Sequence, residues 1–413
     1  MQRNIHKNFW AKSGINLLEL QKKRTYVRFN PNVIIMFHQQ IVRPNSQMLR
    51  EFPYGMGDTI HLGRLDSFLA ESELDAVWLA EPNSFAWLTG GDNVIDLSAP
   101  IGIAAAGYDG QRVEVITANN EHDRLREEEL DADVTLHSFD WHETTLAEAV
   151  AERSARPAGA DFDIAGFEDV DISRLRNPLT EEDIEVYRAI SRDAALALES
   201  ACRTLEPETT EQEAAGHLHR AFVECGLHVP CVLIGGAERA QRHRHFTPSS
   251  ARLGSYAVVT AGVARSGLYD SITRIVAFDP PEWLPERHEA ASRVHATAIA
   301  ACQESRRARE VFAEIRNAYE TVGYPDEWRA HHQGGAAGYA IREWIATPDG
   351  ADRITLPMAF AWNPTVQGAK SEDTVLITED DIDVLTRTGA WPTATYRSVD
   401  GSVALDLHDI LVV

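Results

Sequence analysis

The residues best suited to chemistry are two close histidine pairs, His243/His245 and His331/His332. Each pair lies in polar sequence rich in arginine or glycine, where a buried apolar face is not expected. A neutral imidazole, with a pKa near 6.5, can take a proton from water and hand it on. Histidine pairs serve structure more often than catalysis, so the surrounding sequence has to decide between the two. The four cysteines, Cys202, Cys225, Cys231 and Cys302, show neither CxxC nor zinc-type spacing and read as reduced thiols.

The elements that must hold these residues fall into two blocks. From about 57 to 172 the pattern alternates helix and strand, as in a small α/β domain. It predicts an amphipathic helix over Arg64–Ser72, a strand at Asp75–Leu79 and a short extended piece at Asn83–Trp87. A hairpin over Ile101–Ala106 and Val113–Thr117 follows, then strands at Val134–Phe139 and Ile164–Phe167. The second block, 176–413, opens at Asn177-Pro178-Leu179-Thr180. Thr180 with Asp183 is a capping box for a helix over Glu181–Thr204. A helix at Glu211–Cys225, a strand at Ala257–Thr260, an extended Gly267–Phe278 and one long helix over Glu286–Ala318 come next. Strands near Phe360 and Val375 precede an acidic loop, Glu379–Asp383.

Charge narrows the partners. The chain of 413 residues carries a net charge of −24. Residues 1–50 hold nine basic residues and one acid, Glu19, so the remainder is more acidic still. Beyond Lys23 the only lysine is Lys370. An acidic surface nearly free of lysine resembles that of proteins working in concentrated salt, where carboxylates stay hydrated and their repulsion is screened. It argues against nucleic-acid binding by the folded part. No apolar run is long enough to span a membrane and no signal-peptide pattern is present, which predicts a cytoplasmic protein. The basic segment 1–50 reads as an extension outside the folded domains or a gene start placed too early.

Seven short motifs, in order, carry a resemblance to the creatinase/aminopeptidase P/prolidase family. Asn83-Ser84-Phe85-Ala86-Trp87-Leu88-Thr89-Gly90 resembles its N-x-x-Y-L-T-G segment, and Thr180–Arg188 its entry helix. His245-Phe246-Thr247-Pro248 resembles the HxxP turn, and Gly267–Arg274 the segment G-Y-x-S-D-I-T-R. His332-Gln333-Gly334-Gly335 resembles H-G-x-G. Trp362-Asn363-Pro364 falls on I-E-P, and Lys370-Ser371-Glu372-Asp373 on R-I-E-D. The resemblance implies an α/β N-terminal domain followed by an α+β pita-bread catalytic-type domain, and a homodimer.

It also implies two divalent metal ions held by Asp, Asp, His, Glu and Glu. The matching positions here are Thr260, Ser271, His332, Asn363 and Glu372, so three of four carboxylates are missing. Two dications held close together need bridging carboxylates to offset their repulsion. Asp270 and Asp373 each neighbour a ligand position, but strand alternation points them to the opposite face unless a bulge intervenes. No cofactor is therefore expected, with a weak single metal at His332/Glu372 left open.

The expectation is a metal-independent hydrolase of a C–N bond in a small amino-acid-like or short-peptide substrate. His245, His332 and Glu372 are its catalytic candidates, with Glu372 holding or passing a proton. Arg274, Tyr339, Arg342 and Trp362 are candidates for substrate binding. The structural readings stay beside them: an ion pair at a strand end for Arg274, the same on a helix for Arg342, and core packing for Tyr339 and Trp362. A non-catalytic peptide- or protein-binding relative, and an Xaa-Pro peptidase with a rearranged metal site, are the alternatives.

Overall fold

The structure, a computed structural model, describes residues 59–413. The basic segment 1–50, read from the sequence as an extension or a misplaced gene start, lies outside the described residues. Helix α1 (Thr59–Ser72) leads into β1 (Ala76–Leu79), α2 (Pro82–Thr89), β2 (Ala104–Tyr108) and β3 (Val113–Ala118). Then come α3 (His122–Glu128), β4 (Thr135–Phe139), α4 (Leu146–Arg153), β5 (Ala158–Ala160) and β6 (Glu168–Asp169). These six strands form one mixed sheet in the order β4-β3-β2-β1-β5-β6.

Two expectations fail here. Asn83–Trp87 is helical, not extended. Pro82 sits in the first turn, where its missing N–H costs nothing, and Gly90 closes the helix in the left-handed region. The Asp161 carboxylate accepts from the N–H groups of Ala80 and Glu81 just ahead of the helix. Ile164–Phe167 forms a turn between two short strands, β5, which pairs parallel with β1, and β6, which pairs parallel with β5.

The second block begins with α5 (Glu181–Cys202), α6 (Glu211–Glu224), β7 (His228–Gly236) and the single turn α7 (Ala237–Ala240). The Thr180/Asp183 capping box forms as the sequence suggests. Strands β8 (Tyr256–Arg265) and β9 (Leu268–Ala277) pair without a bulge, Gly262 opposite Ser271 and Thr260 opposite Thr273. Helices α8 (Leu284–Ala301) and α9 (Ala308–Thr321) replace the single predicted helix. The break falls in the polar run 303–307, where Ser305 has φ +66° and Glu310 caps the backbone N–H of Arg307.

The chain ends in short strands: β10 (Gly334–Ala337), β11 (Trp344–Ile345), β12 (Met358–Trp362), β13 (Thr365–Val366) and β14 (Ala369–Lys370). β15 (Asp373–Ile377), β16 (Ile382–Val384), β17 (Thr393–Arg397), β18 (Ala404–His408) and β19 (Leu411–Val412) complete it. One sheet runs β19-β9-β8-β7 and another β11-β10-β12-β15-β16. Apolar faces of α5 and α6 pack on the first, through residues such as Ile190, Leu198, Val259 and Ile272. Val294, Val311, Phe312 and Ile315 of α8 and α9 pack on the second, against Phe360, Trp362 and Val375. The sheets meet where Thr273 donates its N–H to the carbonyl of Glu372 and Ser271 to Thr374 Oγ1.

Candidate functional site

Strand alternation sorts the residues of β8 and β9 onto two faces. Val259, Ala261 and Ile272 face the helices, which leaves Thr260, Ser271 and Thr273 on the opposite face. Asp270 lies on the helix side, where it accepts from Ser191 Oγ of α5 at 2.7 Å, and burial pushes its pKa up to about 7. Arg274 is on that side too. It donates to Asp373 at 2.9 Å and to the carbonyl of Thr386, and lies 3.3 Å from Glu199, with no exposure of its side chain. A guanidinium so enclosed is a structural ion-pair hub and is not placed to grip a substrate. Asp373 is drawn to the same hub, away from Glu372, by His408 and Arg274.

At the ligand positions implied by the sequence resemblance, cations of the chain itself take up the anionic and polar groups. Lys370 Nζ lies 2.7 Å from Glu372 Oε2 and donates to Thr260 Oγ1 at 3.4 Å. Arg342 donates to Glu372 Oε1 at 3.0 Å and to Ser271 Oγ at 2.9 Å. Thr273 Oγ1 adds a third contact to Glu372, at 2.6 Å. Burial of Glu372 opposes ionisation, yet Lys370 and Arg342 hold its pKa down to about 2. Glu372 is thus fixed as a carboxylate. The expected proton-carrying role does not fit it, because two cations outweigh the desolvation. Arg342 stands on the loop between β10 and β11 and not on a helix.

A two-metal centre does not fit these residues. Thr260, Ser271 and Asn363 offer no charge, Asn363 Oδ1 is buried without a hydrogen-bond partner, and the one carboxylate is already engaged by two cations. A dication there would face an ammonium and a guanidinium at contact range. For a single ion at His332 and Glu372, Glu372 would have to leave Lys370 and Arg342, which hold both its oxygens. Among the described residues, the metal-capable set that His332 joins is His245, His331 and His332.

Those histidines are held by their neighbours. Phe246 turns into the core and packs on Gly235, where a Cβ would lie 2.7 Å from its ring, so His245 next to it points to solvent. Gln333 anchors the other arm. It donates from Nε2 to the carbonyl of His331 and accepts from Tyr319 Oη. The outcome is a buried His331 beneath an exposed His332, with rings stacked 4.4 Å apart. His331 Nε2 reaches His245 Nε2 at 2.9 Å. His243 is exposed and outside the group. Burial and then Lys370 lower the pKa of His245, and burial, Arg342 and Lys370 bring that of His332 down to about 4. Both imidazoles are therefore neutral near pH 7, each with one basic ring nitrogen, and the contact with His331 engages Nε2 of His245.

Tyr339 and Trp362 belong to the framework. Tyr339 Oη donates to Asp183, and both side chains are fully enclosed. Trp362 stacks on Phe360 inside the core. Lys370 was absent from the sequence candidates, and its retention as the single lysine after Lys23 was the signal for it; His331 stood among them only as the partner of His332 in a histidine pair, without a role of its own.

Gly334 fixes the histidine arm to β12. Its φ is +92°, and a Cβ would lie 2.2 Å from the carbonyl oxygen of Ala361. Gly334→Ala should therefore lose about 2 kcal/mol or more of stability in urea titrations, since the strain and the backbone clash act together.

Two helix-backed sheets joined along β9 and β15, preceded by a small α/β domain, define the class of pita-bread hydrolase folds. Residues 185–379 match the sequence profile of metallopeptidase family M24. The chain is 24% identical to the Xaa-Pro dipeptidase of Pyrococcus furiosus over 352 residues, 79% of this chain and 97% of the relative. The X-Pro aminopeptidase of Thermotoga maritima superposes with TM-score 0.67 at 15% identity, covering 85% of this chain and 99% of that one. The prolidase of Pyrococcus horikoshii gives 0.66 at 18%, covering 79% and 98%. Together these show the pita-bread fold and a metallopeptidase M24 domain over residues 185–379, similar to the creatinase/aminopeptidase P/prolidase hydrolases.

Proposed function

We infer that the protein hydrolyses a C–N bond in a small amino-acid-like substrate without a metal ion. The observation that carries this reading is the pair of side-chain cations, Lys370 and Arg342, clamped on Glu372 where the family's metals would sit. The cluster has two positive charges against one negative, so its surroundings favour charge that develops on an oxygen during attack. His332, brought down to about 4 by burial, Arg342 and Lys370, is too weak a base near neutral pH, which leaves His245 as the base of the two exposed imidazoles. It takes a proton from the attacking water and delivers it to the departing nitrogen. His332 orients that water, and Glu372 holds Lys370 and Arg342 in place. The amino-acid-like substrate class, a cytoplasmic location and a homodimer rest on the family relationship and the sequence.

A screen of dipeptides, creatine-like compounds and ectoine-like solutes in molar salt, with and without chelator, tests the reading. Turnover should survive the chelator, and His245→Ala should lower it about a hundredfold. Turnover abolished by the chelator and restored by metal would overturn it.

The mutual satisfaction of Lys370, Arg342 and Glu372 also suits a second reading, a cleft that binds a peptide and performs no chemistry. Peptide binding that persists in His245→Ala, with no turnover of any compound screened, would favour it.

A further inference from the structure

We propose that His245, His331 and His332 form a binding site for one borderline divalent ion of the zinc type, apart from the carboxylate positions at which the family places its metals. One donor nitrogen from each ring can be chosen so that all lie within 4.8 Å of one another. His331 Nε2 and His245 Nε2 are already 2.9 Å apart. The rings of His331 and His332 stack with an interplanar angle of 22°, so neighbouring residues offer their edges side by side. Zinc accepts imidazole nitrogens at about 2.0–2.1 Å in a tetrahedral array, which sets two ligand nitrogens roughly 3.3 Å apart. The closest pair needs to open by only a few tenths of an ångström.

The arm that carries two of the donors is anchored. The carbonyl of His331 accepts from Gln333, whose own amide oxygen is held by Tyr319, and His331 Nδ1 is buried with no hydrogen-bond partner. Three imidazoles and no carboxylate select zinc, cobalt, nickel or copper over magnesium and calcium. Glu372 stays out of the set because Lys370 and Arg342 hold both its oxygens. His245 and His332 are exposed, which gives the ion a way in and leaves it an open coordination position. The charge of Lys370 acts on all three rings and opposes a dication, so the ion is exchangeable and not a structural one.

One consequence rests on the functional reading above: an ion that takes the lone pairs of His245 and His332 removes the groups that move the proton, and so inhibits. The test uses the full chain, stripped with chelator and titrated with Co²⁺ as a visible probe. Ligand-field absorption should grow to one equivalent and collapse when Zn²⁺ is added. The exposed His332→Ala should weaken binding on the order of tenfold or more, while His243→Ala, outside the trio, should bind as wild type does. No saturable absorption, or a wild-type titration in His332→Ala, overturns the site. In the activity arm, turnover lost with Zn²⁺ supports the inhibitory consequence. Turnover that appears only with Zn²⁺ supports the site and overturns metal-independent hydrolysis instead.

Discussion

Lys370→Met should lower stability by about 3 kcal/mol and turnover about a hundredfold. Methionine matches the length and much of the volume of lysine, so the change removes a charge more than it removes packing. The pair it breaks is buried, with 6% and 2% of the Lys370 and Glu372 side chains exposed. Removing one partner of a buried ion pair costs about 3–5 kcal/mol because the other charge is left behind. Here Glu372 keeps Arg342 and Thr273, which puts the expectation at the lower end. Adding Glu372→Gln to Lys370→Met should recover part of the loss, with a coupling of roughly 1–3 kcal/mol in the double-mutant cycle. The loss of turnover follows from the lost positive potential, since one stabilising group at a developing oxyanion is worth about a hundredfold or more. Urea titration and initial rates on the best substrate of the screen measure the two effects. A Lys370→Met protein as stable and as active as wild type would show that the ammonium neither supports the site nor replaces a metal charge.

The distance between sequence and structure has a physical pattern. Thr180 and Asp183 announce α5 because both halves of a capping box are three residues apart in the chain. Strand alternation separates Asp270 from Ser271 in the sequence as it does in β9, where the ladder contains no bulge. What escaped was set by partners distant in sequence. The helix over Asn83–Trp87 owes its start in part to Asp161, 80 residues on. Lys370 shares a motif with Glu372, but Arg342 reaches it from a separate loop, so no motif contains the whole cluster, and the motif carried from the family has an arginine where Lys370 stands. The His331–His245 contact spans 86 residues. Arg274 looks like a site residue in a motif and Tyr339 is a binding candidate in the sequence, but the strand face of Arg274 and the buried acidic partners of the two, Asp373 and Asp183, make them structural. The polar break at 303–307 was legible as composition, but its strength as a helix stop depends on the positive φ of Ser305.

Acidification from pH 7.5 to 4.5 should destabilise the protein, and His295→Asn should remove on the order of 2–3 kcal/mol of that loss. His295 is fully buried on α8, and burial brings its pKa down to about 4, from about 6.5 when unfolded. Between those values the unfolded chain binds a proton that the folded one refuses. Stability is therefore complete above about pH 6.5 and falls by roughly 1.4 kcal/mol per pH unit for this one group as the pH drops toward 4. Glu372 extends the decline. Its pKa of about 2 lies below its unfolded value, so its contribution is present at neutral pH and fades below about pH 4.5. The net charge of −24 acts with the opposite sign, since protonating surface carboxylates relieves their repulsion. Urea titrations in molar salt screen that term and leave the buried groups visible. Asparagine can still reach Ser371 Oγ, the partner of His295 Nδ1 at 2.9 Å, and cannot titrate. An unchanged slope of stability against pH in His295→Asn would place the acid sensitivity elsewhere. A flatter one would identify α8 as the element whose packing keeps a proton out.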